Sequence, residues 1–196
     1  MGEPETVRKI ALFGGTFDPV HSGHLEIAAK AVEELSLDLV IFLPCRQSPH
    51  KAMAAGASQE ERLEMIRLAI QGLPWAQVSD WEYHQPIPSY SWRTAEVFAE
   101  EYADAQLHWL MGQDQWKVLS TWSRADYLSS LVRFIVHDRD GVRKVGEQEA
   151  YFISGAHPAS SSKIRESILE GNGKNHQSWL PAEVWEYLQK ERLYCE

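Results

Sequence analysis

The sequence predicts an α/β protein whose parallel sheet is covered by helices on both faces, a doubly wound arrangement. Short apolar runs alternate with segments whose apolar residues recur at the helical spacing. This alternation is typical of parallel strands joined by crossover helices. The run at 39–43 is apolar throughout, as expected of a strand buried on both faces. We expect a single domain over residues 1–196, ending in two helices.

The individual elements follow from periodicity and from helix-capping signals. Ser58 and Glu61 have the spacing of a capping box, and they predict a helix start. Residues 44–57 contain prolines, a glycine and small polar residues, and they predict a long loop. The predicted strands are 9–13, 39–43, 76–83, 107–111, 132–137 and 151–154; the predicted helices are 25–35, 58–72, 91–102, 113–119, 123–131, 161–170 and 181–191.

Composition narrows the classes of partner and compartment. The formal net charge is −9, which argues against a nucleic-acid partner because such proteins carry a basic face. The two cysteines, Cys45 and Cys195, do not have the spacing of a metal or redox motif, and they favour a reducing, cytoplasmic compartment. The apolar run at 10–13 is too short for a signal peptide or a membrane span. We therefore expect a cytoplasmic protein without a membrane partner, with a homo-oligomer left open.

The loop at 14–24 is the first candidate site, because it lies between a strand and a helix. It begins with two glycines, which let backbone approach a ligand, and carries His21 and His24 at the mouth of the helix. A helix N-terminus attracts phosphate, and two imidazoles there can donate hydrogen bonds to phosphoryl oxygens. Two alternatives remain: a metal site formed by Asp18, His21 and His24, or histidines that serve only as a cap and turn.

The second candidate is the segment SSSKIR at 160–165, at the start of another predicted helix. Its hydroxyls and free amides, together with Arg165, are typical of an anion-binding site. The alternative is an ordinary serine N-cap with surface charges around it.

Together these segments resemble the nucleotidyltransferase superfamily marked by an HxGH motif and a late SSTxIR-type motif. More narrowly, the chain resembles bacterial nicotinate-nucleotide adenylyltransferases from about residue 9 to its end. The supporting segments are PHK at 49–51, PSYSWRT at 88–94, MGQD at 111–114 and LSTW at 119–122. The resemblance implies a Rossmann-like fold and ATP and a pyridine mononucleotide as partners.

The resemblance also implies roles for individual residues. His21, His24 and Arg165 would be catalytic, with His24 the main stabiliser of the transition state. Ser161 and Ser162 would hold the β- and γ-phosphates with Arg165. The remaining implied contacts are Gly14, Gly15, Thr16 and Phe17 for nucleotide backbone contacts, Gly112 and Asp114 for adenosine, Lys51 for phosphate charge, and Ser91, Thr94 and Trp122 for the pyridine pocket.

The implied reaction is direct in-line attack of the mononucleotide phosphate on the α-phosphorus of ATP, with Mg²⁺ on the leaving phosphates. We expect nicotinate mononucleotide as the acceptor, and nicotinamide mononucleotide stays an alternative. Two other functions also stay open: an HxGH transferase of the pantetheine-phosphate type, and a metal-dependent hydrolase using Asp18, His21 and His24. The first loop is not a Walker loop, because it lacks the GxxxxGK[ST] pattern.

Overall fold

Six parallel strands form the central sheet of the computed structural model, which describes residues 7–47, 56–138 and 150–195. Their order is β3-β2-β1-β4-β5-β6, and every neighbouring pair is parallel. The predicted parallel α/β class is confirmed. The strands are β1 (Lys9–Gly15), β2 (Leu39–Pro44), β3 (Ala76–Val78), β4 (Gln106–Gly112), β5 (Arg133–Asp138) and β6 (Ala150–Ser154).

Helices cover both faces of this sheet and pack into two separate apolar clusters. One cluster takes residues from α1, α2, α6 and α7, and the other takes residues from α3 and α5. Across the described ranges, no helix is both long enough and apolar enough to cross a membrane. The helices are α1 (Ser22–Leu35), α2 (Gln59–Ala69), α3 (Ser91–Glu101), α4 (Gln113–Trp116), α5 (Ala125–Leu131), α6 (Ser161–Leu169) and α7 (Ala182–Lys190).

The side chains of β1 show why the apolar runs are continuous. Ala11 and Phe13 belong to the first cluster, whereas Ile10 and Leu12 belong to the second. Successive side chains of a strand point to opposite faces, so a strand between two helical layers needs apolar residues at every position. All four residues are almost completely buried.

The strand order reverses between β1 and β4, because the chain moves outward from β1 to β3 and then crosses to β4. In sheets of this kind ligands bind at the carboxyl ends of the strands near the reversal. The loops after β1 and β4 therefore meet at the expected site. These are the loops that contain the HxGH motif and the segment that begins at Gly112.

The predicted strand 76–83 is wrong beyond residue 78. β3 lies at the edge of the sheet and pairs only with β2, up to Val78 opposite Phe42. The chain then turns into a 3₁₀-helix, Trp81–His84. Glu82 is buried there and accepts a hydrogen bond from Thr94, which holds this segment toward α3 and away from the sheet edge.

Other predicted boundaries shift by a few residues. The first helix begins at Ser22 and not at Leu25, because His21 is its N-cap. The predicted helix 123–131 begins at Ala125, because Arg124 has a φ of 54°. The predicted helix 113–119 ends at Trp116 and is followed by a 3₁₀-helix, Leu119–Thr121. A 3₁₀-helix over Gly173–Trp179 was not predicted.

The capping box of α2 is confirmed and yields a stability prediction. Ser58 Oγ accepts from the Glu61 amide at 3.2 Å, and Glu61 Oε2 accepts from the Ser58 amide at 2.6 Å. We expect Ser58→Ala to lower the free energy of unfolding by about 0.5–2 kcal/mol, because the Glu61 amide loses its capping acceptor. Urea denaturation measures this difference.

Ser130→Ala is the matched control for that experiment. The Ser130 hydroxyl is exposed and bonds only the Tyr127 carbonyl within its own helical turn, at 2.7 Å. We expect its effect to stay within about 0.5 kcal/mol of zero. Equal effects of the two substitutions would contradict the capping role of Ser58.

Candidate active site

The loop after β1 is shaped by the aromatic ring of Phe17. Phe17 is buried, and its φ of 49° turns the backbone sharply. Its ring lies 5.4 Å from that of Phe13 and 5.0 Å from that of His24. A Cβ added at Gly15 would lie 2.8 Å from the Phe17 ring, so Gly15 is needed to admit that ring. Thr16, the first residue after β1, lies between Gly15 and Phe17 in the chain.

His21 and His24 form a stacked pair at the N-terminus of α1. Their ring centroids are 3.7 Å apart, with an angle of 24° between the planes. The backbone N–H of His21 donates to His24 Nδ1 at 3.2 Å. A neutral imidazole carries one proton, and an accepting Nδ1 leaves that proton on Nε2. His24 therefore caps the helix with one nitrogen and presents a donor on the other.

A third histidine, His157, lies beside this pair and was missed by sequence reasoning. Its ring is 6.5 Å from that of His21, nearly parallel to it. His157 Nδ1 accepts from the Ala159 amide at 2.9 Å, and Nε2 lies 3.5 Å from a carboxylate oxygen of Glu26. A Cβ at Gly23 would lie 3.0 Å from His157 Nδ1 and 3.1 Å from His21 Nδ1. The glycine of the motif thus fits between two imidazoles.

Asp18 connects the same loop to the end of the chain. Its carboxylate is mostly buried, and Oδ1 accepts from the Tyr194 hydroxyl at 2.7 Å and from the Ala57 amide at 2.9 Å. Gly56 is equally constrained, because an added Cβ would lie only 2.0 Å from Asp18 Oδ2. Burial, followed by the charge of Asp18, raises the pKa of the Tyr194 phenol, so this hydroxyl stays a donor at neutral pH.

The start of α6 meets the loop at the same place. Arg165 Nη1 donates to the backbone carbonyl of Asp18 at 2.6 Å and lies 3.8 Å from Asp18 Oδ2. The Ser161 hydroxyl donates to the carbonyl of Pro19 at 2.9 Å. The structure therefore brings the two predicted phosphate segments into direct contact. Ser162, the second residue of α6, is exposed.

The contacts of Asp18 also bear on the alternative of a metal-dependent hydrolase. Both oxygens of its carboxylate face a donor or the Arg165 guanidinium. In the described parts of the chain, no group of three or more His, Cys, Asp or Glu residues has an arrangement that could hold a metal ion. The triad of Asp18, His21 and His24 therefore gains no support from the geometry.

The residues predicted for adenosine lie at the end of β4. Gly112 is the N-cap of α4, and a Cβ added there would meet no atom within 4 Å. Asp114 lies in the first turn of that helix and is exposed. This open space contrasts with Gly15, where the Phe17 ring fills the volume.

The residues predicted for the pyridine pocket occupy different environments. Ser91 is the first residue of α3 and is half-buried. Trp122 follows the 3₁₀-helix Leu119–Thr121, and it packs partly against the second apolar cluster. Thr94 is fully buried, and its hydroxyl donates to Glu82 Oε1 at 2.7 Å. Its assignment to substrate stays a prediction. Lys51, predicted for phosphate charge, lies outside the described residues.

Glu82 is a second residue that sequence reasoning missed. Burial raises the pKa of its carboxyl, and hydrogen bonds from Thr94 and Ser89 oppose that shift. Ser89 Oγ in turn accepts from the amides of Arg46 at 3.1 Å and Gln47 at 3.4 Å. Glu82 therefore supports the contact between the loop after β2 and the loop before α3. The sequence signal for a buried carboxylate here was the position of Glu82 between two aromatic residues, Trp81 and Tyr83.

Comparison with known proteins gives a consistent set of matches. The profile of a family described as cytidylyltransferase-like matches residues 12–167. A protein of Methylacidiphilum infernorum named "Probable nicotinate-nucleotide adenylyltransferase" is 37% identical, covering 95% of this chain and 92% of its own length. A protein of the same name from Gloeobacter violaceus is 36% identical, covering 95% and 96%.

A solved structure shares the fold. It is the Plasmodium falciparum nicotinic acid mononucleotide adenylyltransferase complexed with NaAD, with a TM-score of 0.79. The alignment covers 95% of this chain and 97% of that chain at 19% sequence identity.

The contact between Tyr194 and Asp18 yields a prediction with a defined pH dependence. At pH 7.5 we expect Tyr194→Phe to lower the free energy of unfolding by about 1–3 kcal/mol, because a buried carboxylate loses a donor. The folded-state pKa of Tyr194 is raised above its usual value of 10.0. The contribution of Tyr194 to the free energy of unfolding is therefore complete below pH 10, and it is lost as the pH rises further. The difference between wild type and variant should narrow above pH 10 in denaturant titrations.

Tyr151→Phe is the control, because Tyr151 is largely exposed and accepts only from Arg133. We expect this substitution to have a small effect on the free energy of unfolding in titrations run from pH 7.5 to pH 10.5. A difference for Tyr194→Phe that stays constant or widens over that range would contradict the proposed contact.

Proposed function

The chain belongs to the nicotinate-nucleotide adenylyltransferases, and on this premise we propose how its residues transfer the adenylyl group of ATP to nicotinate mononucleotide. The products are the deamido form of NAD and pyrophosphate, in a step of NAD biosynthesis. Family membership rests on identities of 36–37% over nearly the whole of both chains. The observation that carries the residue assignment is the stacked pair of His21 and His24. The pair follows Asp18 in the same segment, and the Asp18 carbonyl accepts from Arg165.

The reaction is a direct displacement at the α-phosphorus. A phosphate oxygen of the mononucleotide forms the new bond to that phosphorus, and the bond to the bridging oxygen of the β-phosphate breaks. Such a transfer depends on alignment and charge stabilisation more than on a nucleophilic side chain. We assign His24 Nε2–H as a donor to the phosphoryl oxygens, supported by the capping bond that leaves the proton on that nitrogen. His21, whose ring stacks on that of His24, is assigned to bind the phosphates of ATP as well.

The β- and γ-phosphates are assigned to the start of α6. A helix N-terminus favours negative charge, and Ser161, Ser162 and Arg165 all lie in its first turns. Arg165 uses Nη1 for the loop carbonyl of Asp18, which fixes the orientation of the guanidinium. The backbone of residues 14–17, in the loop after β1, is assigned to contacts with the nucleotides.

The nucleoside portions are assigned to the segments after β4. Asp114 is exposed, so its carboxylate can accept hydrogen bonds from ribose hydroxyls, and Gly112 leaves open space in front of the backbone. Trp122, with Ser91 and Thr94, is assigned to the pyridine ring, because an aromatic face attracts an electron-poor cationic ring. Lys51 is assigned to the phosphate charge of the mononucleotide.

Mg²⁺ is proposed to enter with ATP and not to reside in the protein. The described residues offer no cluster of three ligands of the kind a resident metal needs. Mg²⁺ in nucleotide-transferring sites takes few protein ligands and binds mainly to phosphate oxygens and water, which fits this arrangement. When bound, the ion neutralises charge on the leaving pyrophosphate.

The nucleotides are the partners that family membership supports. The finer assignments rest on sequence. A net charge of −9 supports the absence of a nucleic-acid partner, and two cysteines, Cys45 and Cys195, without the spacing of a disulfide framework or a metal motif support a cytoplasmic location. That the protein has no membrane partner is likewise a proposal, as is the formation of a homo-oligomer.

Substitutions of His24 test the two roles of its imidazole separately. Asparagine places an acceptor where Nδ1 lies and keeps the cap, whereas glutamine places a donor close to the position of Nε2. We expect His24→Asn and His24→Ala to lower turnover by about 10²–10³ with the fold retained, the effect of losing one preorganised donor. His24→Gln should retain more turnover than either. Steady-state kinetics and circular dichroism measure these outcomes, and near wild-type turnover of folded His24→Asn would refute the assignment.

The acceptor is tested by pyrophosphate release from ATP and Mg²⁺ with nicotinate mononucleotide and nicotinamide mononucleotide in parallel. We expect kcat/KM to favour the acid by about tenfold or more, equivalent to at least about 1.4 kcal/mol. Phosphopantetheine is the control and should give no release. Equal use of both mononucleotides would show that recognition of the carboxylate does not set specificity, and release with phosphopantetheine alone would move the chain to another branch of the superfamily.

A further inference from the structure

Arg62 is a buried cation in the fourth position of α2, and neither the motifs nor the proposed mechanism uses it. Only 6% of its surface is exposed. Among the described residues no carboxylate forms an ion pair with it. A guanidinium stays charged in proteins, and a buried charge without an opposite partner costs several kcal/mol. Folding alone would be served better by an apolar side chain at this position.

The guanidinium contacts two backbone carbonyls. Nη1 donates to the carbonyl of Thr16 at 2.9 Å and to that of Cys45 at 2.8 Å. Thr16 is the first residue after β1, and Cys45 is the first residue after β2. The two strands are neighbours, with Gly15 opposite Pro44. One nitrogen therefore connects the beginnings of two loops at the carboxyl edge of the sheet.

The ring of Tyr83 fixes the guanidinium from another side. The Cζ atom of Arg62 lies 5.3 Å from the ring centroid, within the range of a cation–π interaction. Burial raises the pKa of the Tyr83 phenol, while the charge of Arg62 opposes this shift. Two carbonyls and one aromatic face thus hold the group without a carboxylate.

The two loops have different roles in the proposed function. The loop that begins at Thr16 continues to His21 and His24, whereas the segment that begins at Cys45 leads toward Lys51. The first is assigned to ATP and the second to the phosphate of the mononucleotide. In-line transfer is sensitive to the relative position of donor and acceptor, and a misplacement of about 1 Å can cost about 10²-fold in rate.

We propose that Arg62 is a positioning residue for adenylyl transfer, whose buried guanidinium fixes the loop after β1 against the loop after β2 and thereby aligns the two substrates. This inference rests on the proposed function for the identity of the substrates. Its structural basis, the contacts of Arg62 with Thr16, Cys45 and Tyr83, is independent of that function.

The test compares Arg62→Met and Arg62→Lys with Arg67→Met. Arg67 lies on the same helix, but its side chain is 56% exposed and pairs only with Glu64 at 3.6 Å, so it is the matched control. We expect Arg62→Met to lower kcat by about 10–100-fold through misalignment, while KM for each substrate changes by less than about threefold, as for an interaction that acts in the transition state. Arg62→Lys keeps the charge without the planar fork and should fall between wild type and Arg62→Met. Arg67→Met should match wild type.

Hydrogen exchange supplies a readout that does not depend on activity. The amides of residues 16–18, 20 and 45–47 should exchange faster in Arg62→Met than in wild type, and Arg67→Met should leave them unchanged. A purely structural role predicts a lower melting temperature with wild-type kcat per folded enzyme and unchanged exchange in these two loops. That result would overturn the proposal.

Two further results, a variant that does not fold and a wild-type protein without activity, can be told apart from failure of the proposal. If Arg62→Met does not fold, Arg62→Lys and Tyr83→Leu decide the matter. Arg62→Lys keeps the positive charge but loses the planar guanidinium, and Tyr83→Leu keeps the guanidinium but removes the aromatic face. Wild-type kcat in both would overturn the proposal. If the wild-type protein itself releases no pyrophosphate with either mononucleotide, the proposed function fails, and the exchange experiment alone still tests whether Arg62 fixes the two loops.

Discussion

The Asp18 carboxylate accepts hydrogen bonds from Tyr194 and Ala57, and its backbone carbonyl accepts from Arg165. A buried carboxylate is stable only when its oxygens have donors, so the loop after β1 requires these partners to keep its conformation. They come from the segment before α2, from α6 and from the end of the chain. The site therefore forms only when three distant parts of the sequence dock on one loop.

Other buried polar groups beneath the loops also form hydrogen bonds with distant parts of the chain. Arg62 and Glu82 are buried charged residues whose hydrogen bonds lead to backbone carbonyls or hydroxyls at the carboxyl edge of the sheet. Each costs stability relative to an apolar residue. Each also adds a side-chain connection between two loops. His24 shows an economical version of this design, because one imidazole caps a helix with Nδ1 and leaves Nε2 as a donor. In the proposed mechanism, the His24 side chain thus serves both the rigidity of the helix start and the chemistry.

The predictions of secondary structure succeeded where a signal was local. The unbroken apolar runs gave the buried strands, and the Ser58–Glu61 spacing gave the start of α2. The strand predicted over 76–83 was wrong after residue 78, because an edge strand is limited by its one neighbour and because Glu82 is drawn toward Thr94. The start of α5 moved because Arg124 adopts a left-handed conformation, which no periodicity indicates.

By itself the sequence determined the parallel α/β class, the family and the two segments proposed to bind phosphate, because apolar periodicity and motif spacing are properties of neighbouring residues. Only the tertiary structure decided that Arg165 meets Asp18 across 147 positions and that Arg62 meets Thr16 across 46. It also placed His157 beside His21 and turned the Thr94 hydroxyl toward Glu82. These contacts join residues that are far apart in the chain, and their geometry depends on how helices pack on the sheet, which local patterns do not encode.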